Sequence, residues 1–145
     1  IQVEDGPYLG PLPTLSSRKY QYMTNNSPIT YQWFSDILPG SNRAFNTTGT
    51  MTAVFVMKGF NGSIKAMGSL ETSVPQSSDD VWFPINVNGY SIENYNTTTG
   101  TILLTLNAKV EWVMFEFIPV IIKPGETPAT YNLDNYIESI QFRNT

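Results

Sequence analysis

Seven short runs of alternating apolar and polar residues recur along the chain, at 20–23, 29–34, 50–57, 63–71, 80–87, 101–107 and 109–118, and they are punctuated throughout by Asn, Gly and Pro. That spacing predicts antiparallel β structure, because a period of two places successive side chains on opposite faces of a strand. Asn61-Gly62 and Asn88-Gly89 read as turn dipeptides, since both residue types accept a positive φ. In 101–107, Ile102, Leu104 and Leu106 share one side while Thr101, Thr105 and Asn107 share the other, the pattern of a half-buried strand. In 109–118 both sides are apolar at the centre, with Val110, Trp112 and Met114 opposed by Val113, Phe115 and Phe117. Such a strand belongs in the middle of the protein, and something must cover its second face.

The one strong helical signal lies at 132–142. Asn132 is placed as an N-cap, Asp134 falls in the first turn, and Leu133, Tyr136, Ile137 and Ile140 follow the i, i+3, i+4, i+7 spacing. The expected fold is therefore mainly β with a minor helical part (α+β), a twisted antiparallel sheet wrapped around one short C-terminal helix. A two-sheet β-sandwich with that helix on its periphery is the alternative. Residues 31–38 read as strand, with a helical turn as the weaker option. Residues 1–13 hold three prolines and two glycines, which suits an extended arm lying on the domain. At 145 residues one domain is expected over the whole chain, and its start at Ile1 rather than Met suggests a piece of a longer protein.

Composition narrows the chemistry. There is no His and no Cys, so imidazole and thiolate ligands are missing, and Ser-His-Asp and Cys-His catalysis with them. A net charge of −4 disfavours nucleic acid and anionic membranes as partners, since both are bound by neutralising phosphate with Lys and Arg. The longest apolar run, 112–122, is interrupted by Glu116 and Pro119 and is too short to cross a bilayer. Paired carboxylates are the catalytic machinery left. Asp79 and Asp80 differ in strand parity, as do Glu111 and Glu116, so the expectation is no enzyme and no cofactor.

Neutral polarity takes the place of charge. The chain carries 13 Asn, 16 Thr and 12 Ser beside 3 Trp and 8 Tyr. Along 80–87, Val81, Phe83, Ile85 and Val87 form one face and leave Trp82 on the other with Asp80, Pro84 and Asn86; Pro84 marks an edge or bulged strand. Asn88, Tyr90 and Tyr95 follow in polar surroundings. A flat aromatic ring among amides and carboxylates suits a sugar, whose C–H face packs on the ring while its hydroxyls hydrogen-bond. Trp82, Asp80, Asn86, Asn88, Tyr90 and Tyr95 are the candidate glycan-binding residues, with Arg43 as a cationic candidate for an acidic sugar. A burial role for Trp82 under the arm or another strand competes with that reading. Sequons at Asn25, Asn46, Asn61 and Asn96 are close to the number chance supplies.

Both termini resemble one family. Asp5-Gly6-Pro7-Tyr8 looks like the tetrapeptide that opens the glycan-binding head of the rotavirus outer-capsid spike protein. The sequence Phe115-Glu116-Phe117-Ile118-Pro119, followed by Asn135-Tyr136-Ile137, is similar to that domain's last strand and C-terminal helix. The resemblance implies a divergent head of group B type, in a family whose better-known members are galectin-like sandwiches. It further implies non-enzymatic attachment at the spike tip of a virion, with release by trypsin cleavage. The implied partners are galactose-containing host-cell glycans, sialylated, blood-group or N-acetyllactosamine, and the remainder of the spike. A β-domain that binds a protein receptor is the alternative function.

Overall fold

The structure, a computed structural model, describes residues 7–8, 16–21, 29–43, 48–120, 125 and 131–144. Among these the chain forms β1 (Pro7–Tyr8), β2 (Ser16–Gln21), β3 (Ile29–Phe34), β4 (Leu38–Pro39), β5 (Thr50–Ser69), β6 (Phe83–Ile85), β7 (Glu93–Asn107), β8 (Trp112–Pro119) and β9 (Ile137–Asn144). All belong to one antiparallel sheet whose main path runs β1-β9-β5-β8-β3-β2. The protein is mainly β, as the alternation predicts.

Strand β5 organises the rest. Along one edge it pairs with β7 and then β6; along the other it pairs with β9 over Met51 to Met57 and with β8 over Gly62 to Ser69. Its buried residues are Met51, Ala53, Phe55 and Met57, and then Phe60, Gly62, Ile64, Ala66 and Gly68, with Ser69 at its end. The inward parity thus changes from odd to even across Lys58 and Gly59, where the register with β7 shifts and Gly59 has φ 72°. A bulge adds a residue and sharpens the local bend, so both halves of a 20-residue strand keep their apolar side inward. The sheet consequently closes on itself, and Phe55 from the first half meets Phe115 and Phe117 of β8 edge-on, at centroid separations of 5.1 and 6.0 Å. Phe142 of β9 completes the cluster against Phe115 at 6.2 Å.

Two sequence-based expectations are overturned here. Asn61-Gly62 is no turn: it lies within β5 at the second register shift, where Asn61 Oδ1 accepts from Thr97 N–H at 3.3 Å. A Cβ on Gly62 would stand 2.5 Å from the Ile118 carbonyl oxygen, so its glycine permits the close approach of β8 rather than a chain reversal. The helix at 132–142 is likewise absent. Asn132 does cap, accepting from Asp134 N–H at 3.0 Å, but the helix is a single 3₁₀ turn, Leu133–Asn135, after which the chain enters β9. In β9 the buried residues are Ile137, Ile140, Phe142 and Asn144. The register shift opposite Val56 and Met57 stretches the first interval from two residues to three, which imitates helical spacing. Edge-on aromatic contacts and β-branched residues favour the strand.

Three other expectations are met. Asn88-Gly89 makes a two-residue hairpin turn between Val87 and Tyr90, with φ of 51° and 87°. Pro84 lies on β6, a short strand paired with β5 alone among the described strands. Strand β7 is half-buried, with Leu104 and Leu106 inside and Thr101, Thr105 and Asn107 outside. Of the N-terminal arm, Pro7 and Tyr8 pair with Arg143 and Phe142 as an added strand, and the remainder lies outside the described residues, as do Asn25 and Asn46. The segment 115–119 is an inner strand, β8, and the last strand is β9, where the family resemblance implies a helix.

Phe55 is fully buried between the two halves of the closed sheet. Phe55→Ala is therefore expected to lower the unfolding free energy by about 3–5 kcal/mol. Leu103→Ala, on the outer face at 57% exposure, should change it by less than about 0.5 kcal/mol. Urea unfolding of both variants checks the assignment of inner and outer faces.

Candidate functional site

The site follows from the second face of β8. Val113, Phe115 and Phe117 point into the core, so Met114 and Glu116 point away from it, yet both are buried, Glu116 at 7% exposure. In register, Met114 stands beside Met67 of β5, and Glu116 lies between Lys65 of β5 and Phe34 of β3. What covers this row is the connection 70–82, a strap without regular strand or helix.

The strap is tied to the sheet at its start and knotted on itself at its far end. At its start the Trp112 indole Nε1 donates to the Glu71 carbonyl at 2.9 Å. Arg43 lies over the Trp112 ring at 4.5 Å, donates through its guanidinium to the Thr72 carbonyl, and reaches Glu111 at 3.4 Å. Such a guanidinium, planar and stacked on an indole, combines a cation–π contact of about 0.5–1 kcal/mol with directed donors. The far end is knotted around one carbonyl: Gln76 O accepts from Asp79 N–H at 3.0 Å and from Trp82 Nε1 at 2.8 Å. Asp79 Oδ2 returns an acceptor to Gln76 N–H at 2.8 Å.

Between strap and sheet remains a cleft of about 180 Å³. Its floor is Phe34, Met67, Met114 and Glu116, and its wall is Ser77, Asp79 and Trp82. Trp82 is half-buried and stands outside the core cluster. The cleft so joins an indole face and two thioether side chains to two carboxylates and a hydroxyl.

The other residues singled out from the sequence disperse. Asp80 and Asn86 are exposed and do not line the cleft. Asn88 serves the fold: its Oδ1 accepts from Thr105 N–H at 2.9 Å and its Nδ2 donates to Leu103 O at 3.4 Å, so one amide caps the free edge of β7 as a neighbouring strand would. Tyr90, 66% exposed, stands at the hairpin tip. Tyr95 is on β7, not in a polar loop, and packs on Phe60 at 6.2 Å. Its hydroxyl is buried with no hydrogen-bond partner among the described residues. Burial first, and Glu93 second, push its pKa up to about 12. Arg43, the candidate for an acidic sugar, is engaged by Trp112, Glu111 and Thr72 instead. Sequence reasoning placed Trp82 at the site and missed Glu116, Asp79, Phe34, Met67, Met114 and Ser77. A readable signal existed for one of them, since Glu116 is an acid inside a run apolar on both faces.

Among the described residues no group of three or more acidic side chains is arranged to hold a metal ion, and no helix is long and apolar enough to cross a membrane. No family model, no curated protein and no solved structure matches the chain.

Because the Tyr95 phenol is harder to ionise folded than unfolded, the native state holds a proton that the unfolded state releases above about pH 10. Stability should fall as pH rises from 10 toward 12. Tyr95→Phe should flatten that fall and leave stability at neutral pH unchanged or slightly higher, since the hydroxyl it removes has no partner. Denaturant midpoints measured across the alkaline range for both proteins test it.

Proposed function

We propose that this chain is a non-enzymatic glycan-binding domain that takes a galactose-containing host-cell glycan, such as one of the N-acetyllactosamine type, in the Trp82 cleft. The observation that carries the reading is the union of the Trp82 indole with Asp79, Glu116 and Ser77 in one cleft. Galactose offers an apolar C–H patch to an aromatic face and hydroxyls to acceptors at its edges, and a carboxylate makes the stronger, charge-assisted kind of hydrogen bond. No part of this binding calls for a cofactor.

A cleft of this size holds about one sugar ring, whose hydroxyls exchange water contacts for protein contacts at small net gain. Single-site affinity should be weak, near a Kd of about 1 mM. Attachment then depends on multivalency, which raises effective affinity by about 10²- to 10⁴-fold when many copies face one surface. The resemblance of both termini to rotavirus spike heads supports such a setting: many domains displayed at the spike tips of a virion, meeting cell-surface glycans during entry.

On an array of mammalian glycans, the multimerised domain should give signal selective for galactose-containing structures, unchanged by chelators. Trp82→Ala should weaken that signal by at least about tenfold, in line with the loss of a buried aromatic contact. Because Trp82 lies outside the core, the variant should melt within a few degrees of the parent. A blank array would contradict the reading and leave a protein receptor as the better candidate. Release of free sugar from the bound glycans would contradict its non-enzymatic character.

A further inference from the structure

We infer that the cleft seats a terminal N-acetylgalactosamine in preference to galactose, with Met67 and Met114 receiving the acetamido methyl; this deepens the glycan reading above and rests on it. The argument of the residues starts at the floor. Met67 of β5 and Met114 of β8 are direct neighbours in register, and Phe34 joins them in the lining. Met114 and Phe34 are 2% and 5% exposed while Met67 is half-buried, so Met67 is the thioether that an entering group meets most fully. None of these three side chains forms a strong hydrogen bond with a hydroxyl.

The wall then sets how a sugar ring lies. A hexose laid with its C–H face on the Trp82 indole turns an edge toward the floor, and on galactose that edge carries hydroxyls. A hydroxyl pressed against thioethers and a phenyl ring gives up its water without a replacement, which is unfavourable. An acetamido group at C2 reverses the sign. Its methyl is apolar like the floor, and two adjacent unbranched methionines adapt to its shape. Its amide N–H needs an acceptor close to that methyl, and the wall contains a carboxylate: Asp79 uses Oδ2 for Gln76 N–H and has a second oxygen besides. Apolar floor and acceptor wall thus meet within one cleft of about 180 Å³, and they match a substituent that carries a methyl and a donor together. A 6-deoxy sugar offers the methyl without the donor.

The experiment presents N-acetyllactosamine and its counterpart ending in N-acetylgalactosamine, which differ only in the C2 substituent of the terminal ring, on one multivalent support and reads binding by biolayer interferometry. The acetamido-bearing terminus should bind at least about fourfold more tightly, the gain expected from one buried methyl. Met67→Gln keeps the length of the side chain but places an amide in the floor, so it should bring the ratio toward one, whereas Met67→Leu should preserve it. In a ¹³C-methyl methionine spectrum the same glycan should shift the Met67 and Met114 signals and leave Met51 and Met57, buried in the core, in place. Should Met67→Gln fail to fold, this spectrum of the parent protein decides. Equal binding of the two termini, a ratio that Met67→Gln leaves unchanged, or unmoved Met67 and Met114 signals overturns the preference while the glycan reading stands. Binding of neither glycan overturns the glycan reading and this inference together.

Discussion

Strand β8 has no face to give to water. Val113, Phe115 and Phe117 are required by the core, and Met114 and Glu116 on its other side are flanked by Met67 and Phe34. Burying an acid within an apolar strand costs several kcal/mol unless polar partners surround it. The covering layer therefore has to be apolar enough for the methionines and polar enough for Glu116. An irregular strap brings a serine hydroxyl and an indole to the same cleft as Glu116 and the methionines, so polar and apolar groups are supplied together. The cleft is the space this mixed cover leaves.

Closure of the sheet depends on the same economy. A flat 20-residue strand would expose one side of its second half, because strict alternation assigns every even residue to the outside. The bulge at Lys58 and Gly59 reverses that assignment, and Gly62 lets β8 lie close enough for Phe115 and Phe117 to meet Phe55. Backbone irregularity in β5 is thus what turns one sheet into two facing layers. It also sets β8 where a strap from the end of β5 can cross it.

What was legible in the sequence was what depends on period two. The strands read at 29–34, 101–107 and 109–118 (the last beginning at Trp112 in the structure), the Asn88-Gly89 hairpin, the edge position of Pro84 and the double burial of β8 all follow from alternation and turn chemistry. What escaped were the places where one extra residue changes the period. A bulge joined two runs into β5, and another gave Ile137 and Ile140 a helical interval. Within the site, Trp82 stood out as an aromatic ring among Asp80, Pro84 and Asn86, although the strand read over 80–87 forms only at Phe83–Ile85 and Phe83 is exposed. Asp79 and Glu116 did not, because 37 residues of chain separate them and only pairing of β5 with β8 and the knot at Gln76 bring them to one cleft. Asn88 and Tyr95 looked like sugar contacts, and instead one closes a sheet edge and the other packs, half-buried, against the core.

The scarcity of charge acquires a location in this picture. With no His or Cys, the described cleft draws its polarity from carboxylates and a hydroxyl around an indole, a set suited to holding hydroxyl groups. The most direct measurement of this claim uses the three indole N–H signals of Trp33, Trp82 and Trp112 in a ¹H–¹⁵N spectrum of the folded domain, assigned by single Trp→Phe substitutions and titrated with N-acetyllactosamine. The account predicts the largest displacement at Trp82, whose N–H is pinned to the Gln76 carbonyl beside the cleft, and no displacement at Trp33, which packs against Tyr131 away from it. Saturable movement of Trp33 with Trp82 unmoved would contradict it.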